Sequence, residues 1–275
     1  MLQMLKREIL SPAIGAVIHG IDLADPGELG RHEAELRQAL LDHQVIFFRD
    51  QQLDPDAQVR LAAAFGTVKE VTSTFARHPA NAFLEVLESH GDQHGTDVWH
   101  ADLTWQQSPP IGACLYAVDV PPAGGDTIWA SMTAAFDSLD PALAAYLSGL
   151  TAVHNWEGPE IVNHVLGGAE GEARYRALRE THRPLEVPVV TIHPETQKRV
   201  IRVNALYTTH ICGVSREQSA ALLAMLTALA RVPEWQVRFH WLPGSVAIWD
   251  NRAVQHYAVN DYHPSHRLMH RVTIG

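Results

Sequence analysis

Cysteine is scarce in this chain: Cys114 and Cys212 are the only two in 275 residues. That excludes a disulfide framework and a cysteine-based metal motif, and leaves both thiols to act as small buried hydrophobes. Basic residues are also few, with 21 Lys and Arg against 31 Asp and Glu and a formal charge of -10. Nucleic acid and anionic membrane surfaces are therefore excluded as partners, and any bound anion has to be held by a local cation. No apolar run approaches the length of a membrane span. Lys6, Arg7 and Glu8 stand near the start, where a signal peptide needs an apolar core, so a cytoplasmic location is expected. With no Pro/Ser-rich linker, internal repeat or low-complexity tract, residues 1–275 read as a single domain.

What is there is mixed α and β. Ile14 to Asp22 reads as a strand, Leu29 to Asp42 as a helix, Val45 to Phe48 as a buried strand and Pro55 to Phe65 as a second helix stopped by Gly66. Gly112 to Val120 reads as a strand, and the apolar spacing predicts one helix over Met132 to Leu150. Val187 to Ile192 and Val200 to Asn204 flank Pro194-Glu195-Thr196 as a hairpin. Ser215-Arg216-Glu217-Gln218 is a capping box opening a helix with Leu222, Met225, Leu226 and Leu229 on its buried face. Further strands fall at Val237 to Trp241, Ser245 to Trp249 and Arg267 to Ile274. Many strands with irregular links fit a jelly roll. Segments 67–98 and 155–185 are the irregular stretches, the first broken by an apolar run at Phe83 to Leu87, and both are expected to cover a pocket.

Within this frame, Trp99-His100-Ala101-Asp102 carries two ligand types two residues apart. On a strand that spacing puts both side chains on one face, where they can share an ion. The aromatic run from Trp99 through Leu103, Thr104 and Trp105 predicts such a strand. A second triplet, His90-Gly91-Asp92, lies among turn formers and reads as loop. A distant histidine, His256, closes a 2-His-1-carboxylate set. Three ligands on one face of an octahedron leave the opposite face open, the arrangement that non-haem Fe(II) oxygenases use.

Four ordered motifs carry a wider likeness: Trp99-His100-Ala101-Asp102, Gly124-Gly125-Asp126-Thr127, Ile248-Trp249-Asp250-Asn251-Arg252 leading to Gln255-His256-Tyr257, and His266-Arg267-Leu268-Met269-His270-Arg271. Together they resemble the taurine dioxygenase and TfdA-like family of Fe(II)/2-oxoglutarate-dependent dioxygenases. The resemblance implies a double-stranded β-helix, or jelly-roll, core with flanking helices. It makes His100, Asp102 and His256 the iron ligands and assigns Thr127 and Arg267 to the distal carboxylate of 2-oxoglutarate. It also assigns Arg271 to the acid group of the primary substrate. A planar guanidinium gripping both oxygens of a buried carboxylate makes physical sense of the Arg267 role. The Trp249 to Arg252 run is expected to be structural, satisfying buried backbone beside His256.

The implied reaction consumes 2-oxoglutarate and dioxygen, oxidises a small anionic organic substrate, and releases succinate and CO2. An organosulfonate is the first expectation, hydroxylated next to sulfur and collapsing to an aldehyde and sulfite. An alkyl sulfate or an aryloxyalkanoate is the alternative. Val71 falls where taurine enzymes have a sulfonate-binding histidine, and His78 is a candidate to replace it. Leu103, Trp105 and Tyr207 fall at apolar pocket positions, and Trp156 is a candidate to join them. The family also implies a homo-oligomer, a dimer or tetramer. From another class, a zinc-binding jelly-roll hydrolase or binding module would use the same ligands. It has no use for Thr127 and Arg267.

Overall fold

The computed structural model describes residues 4–71, 76–90, 96–166 and 171–275. The first part of the chain forms β1 (Lys6–Ile9), β2 (Ala16–His19), α1 (Pro26–His43), β3 (Val45–Phe48), α2 (Pro55–Ala63), β4 (Ala76–Arg77) and β5 (Leu84–Ser89). The middle supplies β6 (Gly112–Asp119), β7 (Thr127–Ser131), α3 (Met132–Asp137), α4 (Pro141–Ser148), β8 (Thr151–His154), α5 (Pro159–Leu166) and α6 (Gly171–Thr181). Then follow β9 (Leu185–Pro188), β10 (Val190–Ile192), β11 (Arg199–Ile201), β12 (Thr208–Ile211), α7 (Arg216–Leu229), β13 (Gln236–Phe239), β14 (Val246–Asp250), β15 (Val254–Ala258) and β16 (Arg267–Ile274).

An eight-stranded sheet in the order β1-β2-β3-β14-β6-β16-β5-β4 faces a three-stranded sheet in the order β13-β7-β15. Strand alternation decides what lies between them. Ala113, Leu115 and Ala117 of β6, Ala247 and Trp249 of β14 and Met269 of β16 meet Trp129, Val237, Phe239 and Val254 of the small sheet in one buried cluster. The alternate residues, among them Cys114, Val246, Ile248, Val272 and Ile274, pack under α1 and α2. A third cluster places Ala130 of β7 and the strands β10 to β12 against α3, α4 and α7. This is the expected jelly roll with helices outside.

Helix starts follow simple chemistry. Asp25, Asp54 and Asp140 each cap a helix whose next residue is proline, accepting from one or two first-turn amides. The Ser215 capping box is present as expected, and Leu226 is fully buried with Met225 partly so. The same rule corrects the single helix expected over Met132 to Leu150. The chain breaks at Ser138 and restarts at Pro141, because proline cannot continue a helix and Asp140 offers a new cap.

The hairpin expected around Pro194 forms, but only as Val190 to Ile192 against Arg199 to Ile201; β9 joins β8 instead. Of the two irregular segments, 67–98 contributes β5, which pairs along β16, and 155–185 forms α5 and α6. Gly91 and Asp92 of the second His-x-Asp triplet lie outside the described residues. Among the described residues no helix is long and apolar enough to cross a membrane.

Candidate active site

His100 does not sit on a regular strand. It forms an isolated antiparallel bridge with His256, each amide donating to the other's carbonyl at 3.1 and 2.7 Å. The chain then turns through Asp102 to Trp105, with Leu103 at φ 51°. The expected strand is therefore corrected to a single bridge followed by a turn. The physical reason is Asn251, whose Oδ1 accepts the Asp102 amide at 2.7 Å and whose Nδ2 donates to the carbonyls of Asp102 and Pro110. A side chain takes the backbone bonds that a neighbouring strand would otherwise have supplied.

The ligand atoms converge. His100 Nε2 and His256 Nε2 lie 3.6 and 3.7 Å from Asp102 Oδ1, and the three residues form a cluster with ligand atoms all within 4.8 Å of one another. Ligands about 2 Å from one octahedral ion stand roughly 3 Å apart, so a small contraction completes the set. His100 Nδ1 is 2.7 Å from the Val98 carbonyl. A carbonyl only accepts, so Nδ1 carries the proton and Nε2 presents its lone pair. Burial first, and the nearby His100 second, push His256 down to about 3, which keeps its ring neutral. Burial alone would raise Asp102, but His256, His100 and Arg271 outweigh it and hold the carboxyl well below the usual range. The donor set thus offers two imidazole nitrogens and a carboxylate, which fits a divalent ion.

The glycine turn also has a reason. A Cβ on Gly124, at φ 78°, would lie 2.7 Å from Asp261 Oδ1, and one on Gly125, at φ 67°, would lie 3.3 Å from the Tyr262 ring beside Arg267. Asp126 is anchored by Arg238 Nε at 2.6 Å and His240 Nδ1 at 2.8 Å. Thr127 Oγ1 accepts from Trp241 Nε1 at 3.0 Å, so its own proton is left to donate.

On β16, Arg267, Met269 and Arg271 share the inner face, as the spacing predicts. Arg267 has no ion pair among the described residues, its buried Nε lacks a partner, and burial lowers its pKa. A buried guanidinium in that state is built for an anion from outside. Arg271 is different. Its Nε donates to Glu85 Oε2 at 2.7 Å, and its Nη1 is 3.9 Å from Asp102 Oδ1.

Leu103, Trp105, Trp156 and Tyr207 pack together with Val165 of α5 and Tyr175 of α6. Tyr207 also stands edge-on to the His100 ring at 6.4 Å. The structure thus brings the apolar candidates together beside the triad. Val71 is half-buried and bonds through its amide to Ala82; no described contact joins it to this group. His78 cannot replace the missing histidine. It packs edge-on against His270, on the face of β16 opposite Arg271.

The structural role expected for the Trp249 to Arg252 run falls chiefly to Asn251. Asp250 instead pairs with His193 and Arg252, and Arg252 continues to Glu195. Two residues that shape the site escaped the sequence: Asn251 as the Asp102 clamp, and Glu85 as an ion-pair partner of Arg271. The second left no distinct signal, because β5 reads Leu-Glu-Val-Leu-Glu-Ser and Glu85 is one of its two acids.

Residues 6–273 match the family described as "Taurine catabolism dioxygenase TauD, TfdA family". The chain belongs to this family. It is 34% identical to the alkylsulfatase of Acinetobacter baylyi over 99% of this chain and 86% of that one. It is 35% identical to the alpha-ketoglutarate-dependent sulfate ester dioxygenase of Pseudomonas putida, over 95% of this chain and 86% of that one. Among solved structures, a taurine dioxygenase from Burkholderia xenovorans superposes with a TM-score of 0.83 at 34% identity, covering 99% of this chain and 89% of that one. This TauD-family protein is an Fe(II)- and 2-oxoglutarate-dependent dioxygenase. The zinc hydrolase and binding-module alternatives give way to that membership.

Proposed function

We propose that this dioxygenase oxidises a small organic acid, an organosulfonate first, at the carbon next to its acid group. The observation that carries the reading is the inner face of β16: Arg267 without an ion-pair partner among the described residues and Arg271 beside Asp102, separated by Met269. His100, Asp102 and His256 hold the iron. When bound, iron couples the decarboxylation of 2-oxoglutarate by dioxygen, giving succinate and CO2, to oxidation of a C–H bond.

Each protein group then has a defined task. Arg267 and the free proton of Thr127 hold the distal carboxylate of 2-oxoglutarate, and Arg271 anchors the acid group of the substrate. Leu103, Trp105 and Tyr207, with Trp156, line the substrate body and exclude water, so that the reacting carbon is fixed in place. Val71 stands apart from this lining, with no described contact to it, at the edge of segment 67–98. That segment and 155–185, with α5 and α6, cover the pocket. After hydroxylation the new O–H bond loses its proton to solvent, a C=O bond forms, and the C–S electrons leave with sulfite.

A sulfate ester is the second reading, supported by the similarity to the sulfate ester dioxygenase. The same oxidation would then expel sulfate. Two free cysteines and an acidic surface accord with a cytoplasmic enzyme that binds no nucleic acid, and family resemblance supports a dimer or tetramer.

The test is substrate-stimulated succinate formation across sulfonates, sulfate esters and aryloxyalkanoates, with sulfite and sulfate assayed in parallel. Sulfite release supports the first reading and sulfate the second. Absence of stimulation by all three classes overturns the acid-anchor role of Arg271.

A further inference from the structure

A cavity of about 320 Å³ adjoins the metal centre without being part of it. Ala101 and Gln255 line it, whereas none of the three metal ligands and neither arginine of β16 does. Alternation along β15 turns Gln255 away from the face that carries His256, so the cavity lies across the His100 to His256 bridge from the metal centre. Small-molecule pockets run from roughly 300 to 1,000 Å³, and this one falls at the compact end.

Two polar atoms of its wall are unsatisfied. Arg202 follows β11, and its side chain has no hydrogen bond or ion pair among the described residues, although its Nε is buried. Burial lowers its pKa, and no carboxylate offsets that fall. The other cations of the wall are already committed, His193 to Asp250, and Arg252 to Asp250 and Glu195. Gln255 is 1% exposed, and its Nε2 is 2.8 Å from the Val203 carbonyl. A carbonyl only accepts, which fixes the amide nitrogen there and leaves Oε1 as a buried acceptor with no donor.

These two atoms define the occupant. The guanidinium calls for an anion, best a planar carboxylate, and Oε1 calls for a donor. No carboxylate lines the cavity to hold an ammonium beside the uncompensated guanidinium, so a neutral hydroxyl is the donor that fits. Pro110, Ile111 and Val200 add an apolar wall, which asks for carbon between the two groups. Water can bond to either polar atom, but it compensates no charge and gains nothing from that wall.

We propose that this cavity is a second ligand site, for a small aliphatic hydroxy acid whose carboxylate pairs with Arg202 and whose hydroxyl donates to Gln255 Oε1. It is separate from the positions of substrate and 2-oxoglutarate and does not depend on how those are assigned.

The test is anaerobic calorimetry on the iron- and 2-oxoglutarate-loaded protein, titrated with butanoate, with each positional hydroxybutanoate and with inorganic phosphate. At least one hydroxybutanoate is expected to bind about tenfold or more tightly than butanoate. Arg202→Gln should weaken that binding by about tenfold or more and leave the affinity for 2-oxoglutarate as in the wild type. Gln255→Leu should erase the preference for the hydroxyl and keep the binding of butanoate. Absence of binding by every hydroxybutanoate at millimolar concentration, or tighter binding of phosphate, overturns the proposal. Arg271→Gln guards against the substrate pocket: binding that survives Arg202→Gln but is lost in Arg271→Gln belongs there, and overturns the second site. If Arg202→Gln fails to fold, the wild-type series and Arg271→Gln decide between the two positions.

Discussion

Asn251 grips Asp102 at both ends of its peptide, accepting from its amide at 2.7 Å and donating to its carbonyl at 2.9 Å. The carboxylate ligand is thereby held by a residue that touches no metal. Asn251→Ala leaves these two groups and the Pro110 carbonyl without partners. It is expected to lower Fe(II) affinity by about 10- to 100-fold, as loss of a supporting contact to a ligand commonly does. Thermal unfolding of the metal-free protein should show a loss of about 2–3 kcal/mol. Unchanged affinity in a titration would show that the turn after His100 holds Asp102 without help.

Arg267 gives a prediction with two signs. Burying an unpaired guanidinium opposes folding, so Arg267→Leu is expected to leave the metal-free protein as stable as the wild type, or more so. The same change removes the charged partner of the co-substrate, and 2-oxoglutarate affinity should fall by 2–5 kcal/mol, about 30-fold or more. Differential scanning with and without 2-oxoglutarate reads both effects in one experiment. A variant that still gains its full melting shift from 2-oxoglutarate would remove Arg267 from that role.

His154 predicts how stability responds to acid. The ring is fully buried between the hydroxyls of Thr104 and Thr208, and burial lowers its pKa from 6.5 to about 4. The unfolded chain therefore takes the proton more readily than the folded one. Stability is unaffected above pH 6.5 and falls as pH drops from 6.5 to 4, by roughly 3 kcal/mol from this group. His154→Gln should flatten that part of the Tm profile. An equally steep fall in the variant would assign the acid sensitivity elsewhere.

Trp105 tests the coupling of the apolar wall to chemistry. It packs with Trp156 and meets His182 edge-on. Trp105→Phe keeps an aromatic ring but shortens it. The expected result is a fall of about tenfold in substrate-stimulated turnover, with more succinate formed per product, because the reacting carbon is less well fixed. A product-to-succinate ratio equal to that of the wild type would make Trp105 scaffold only.

These sites differ in how far the sequence discloses them. The His100-Ala101-Asp102 pair and the Gly124-Gly125-Asp126-Thr127 turn are short-range motifs, and the apolar runs of β6 and β14 with the alternation at Val237, Phe239 and Trp241 suffice for a jelly roll. The break at Asp140-Pro141 was also local, carrying the same Asp-Pro start as α1 and α2, but apolar spacing across it masked the stop. Two features were not local. The turn at Asp102 exists because Asn251 arrives from the far end of the chain. Glu85 acquires meaning only in register with Arg271. Pairings between distant strands leave no periodic trace, so an inward-facing acid reads from sequence as one more polar residue.

The bridge between His100 and His256, and the place of β14 and β16 in the middle of the large sheet, carry a consequence for biogenesis. The strands that arrive late in the sequence are inserted between earlier ones, with β14 between β3 and β6, and β16 between β6 and β5. A nascent chain must therefore hold an open gap in its sheet until its C-terminal strands emerge, which makes folding slow and non-local. The third ligand, on β15 between them in the sequence, and both arginines of β16 belong to the same last part of the chain. Capacity to bind iron is thus acquired at the last stage of folding, and a partly made chain cannot hold a redox-active ion before there is a closed pocket around it.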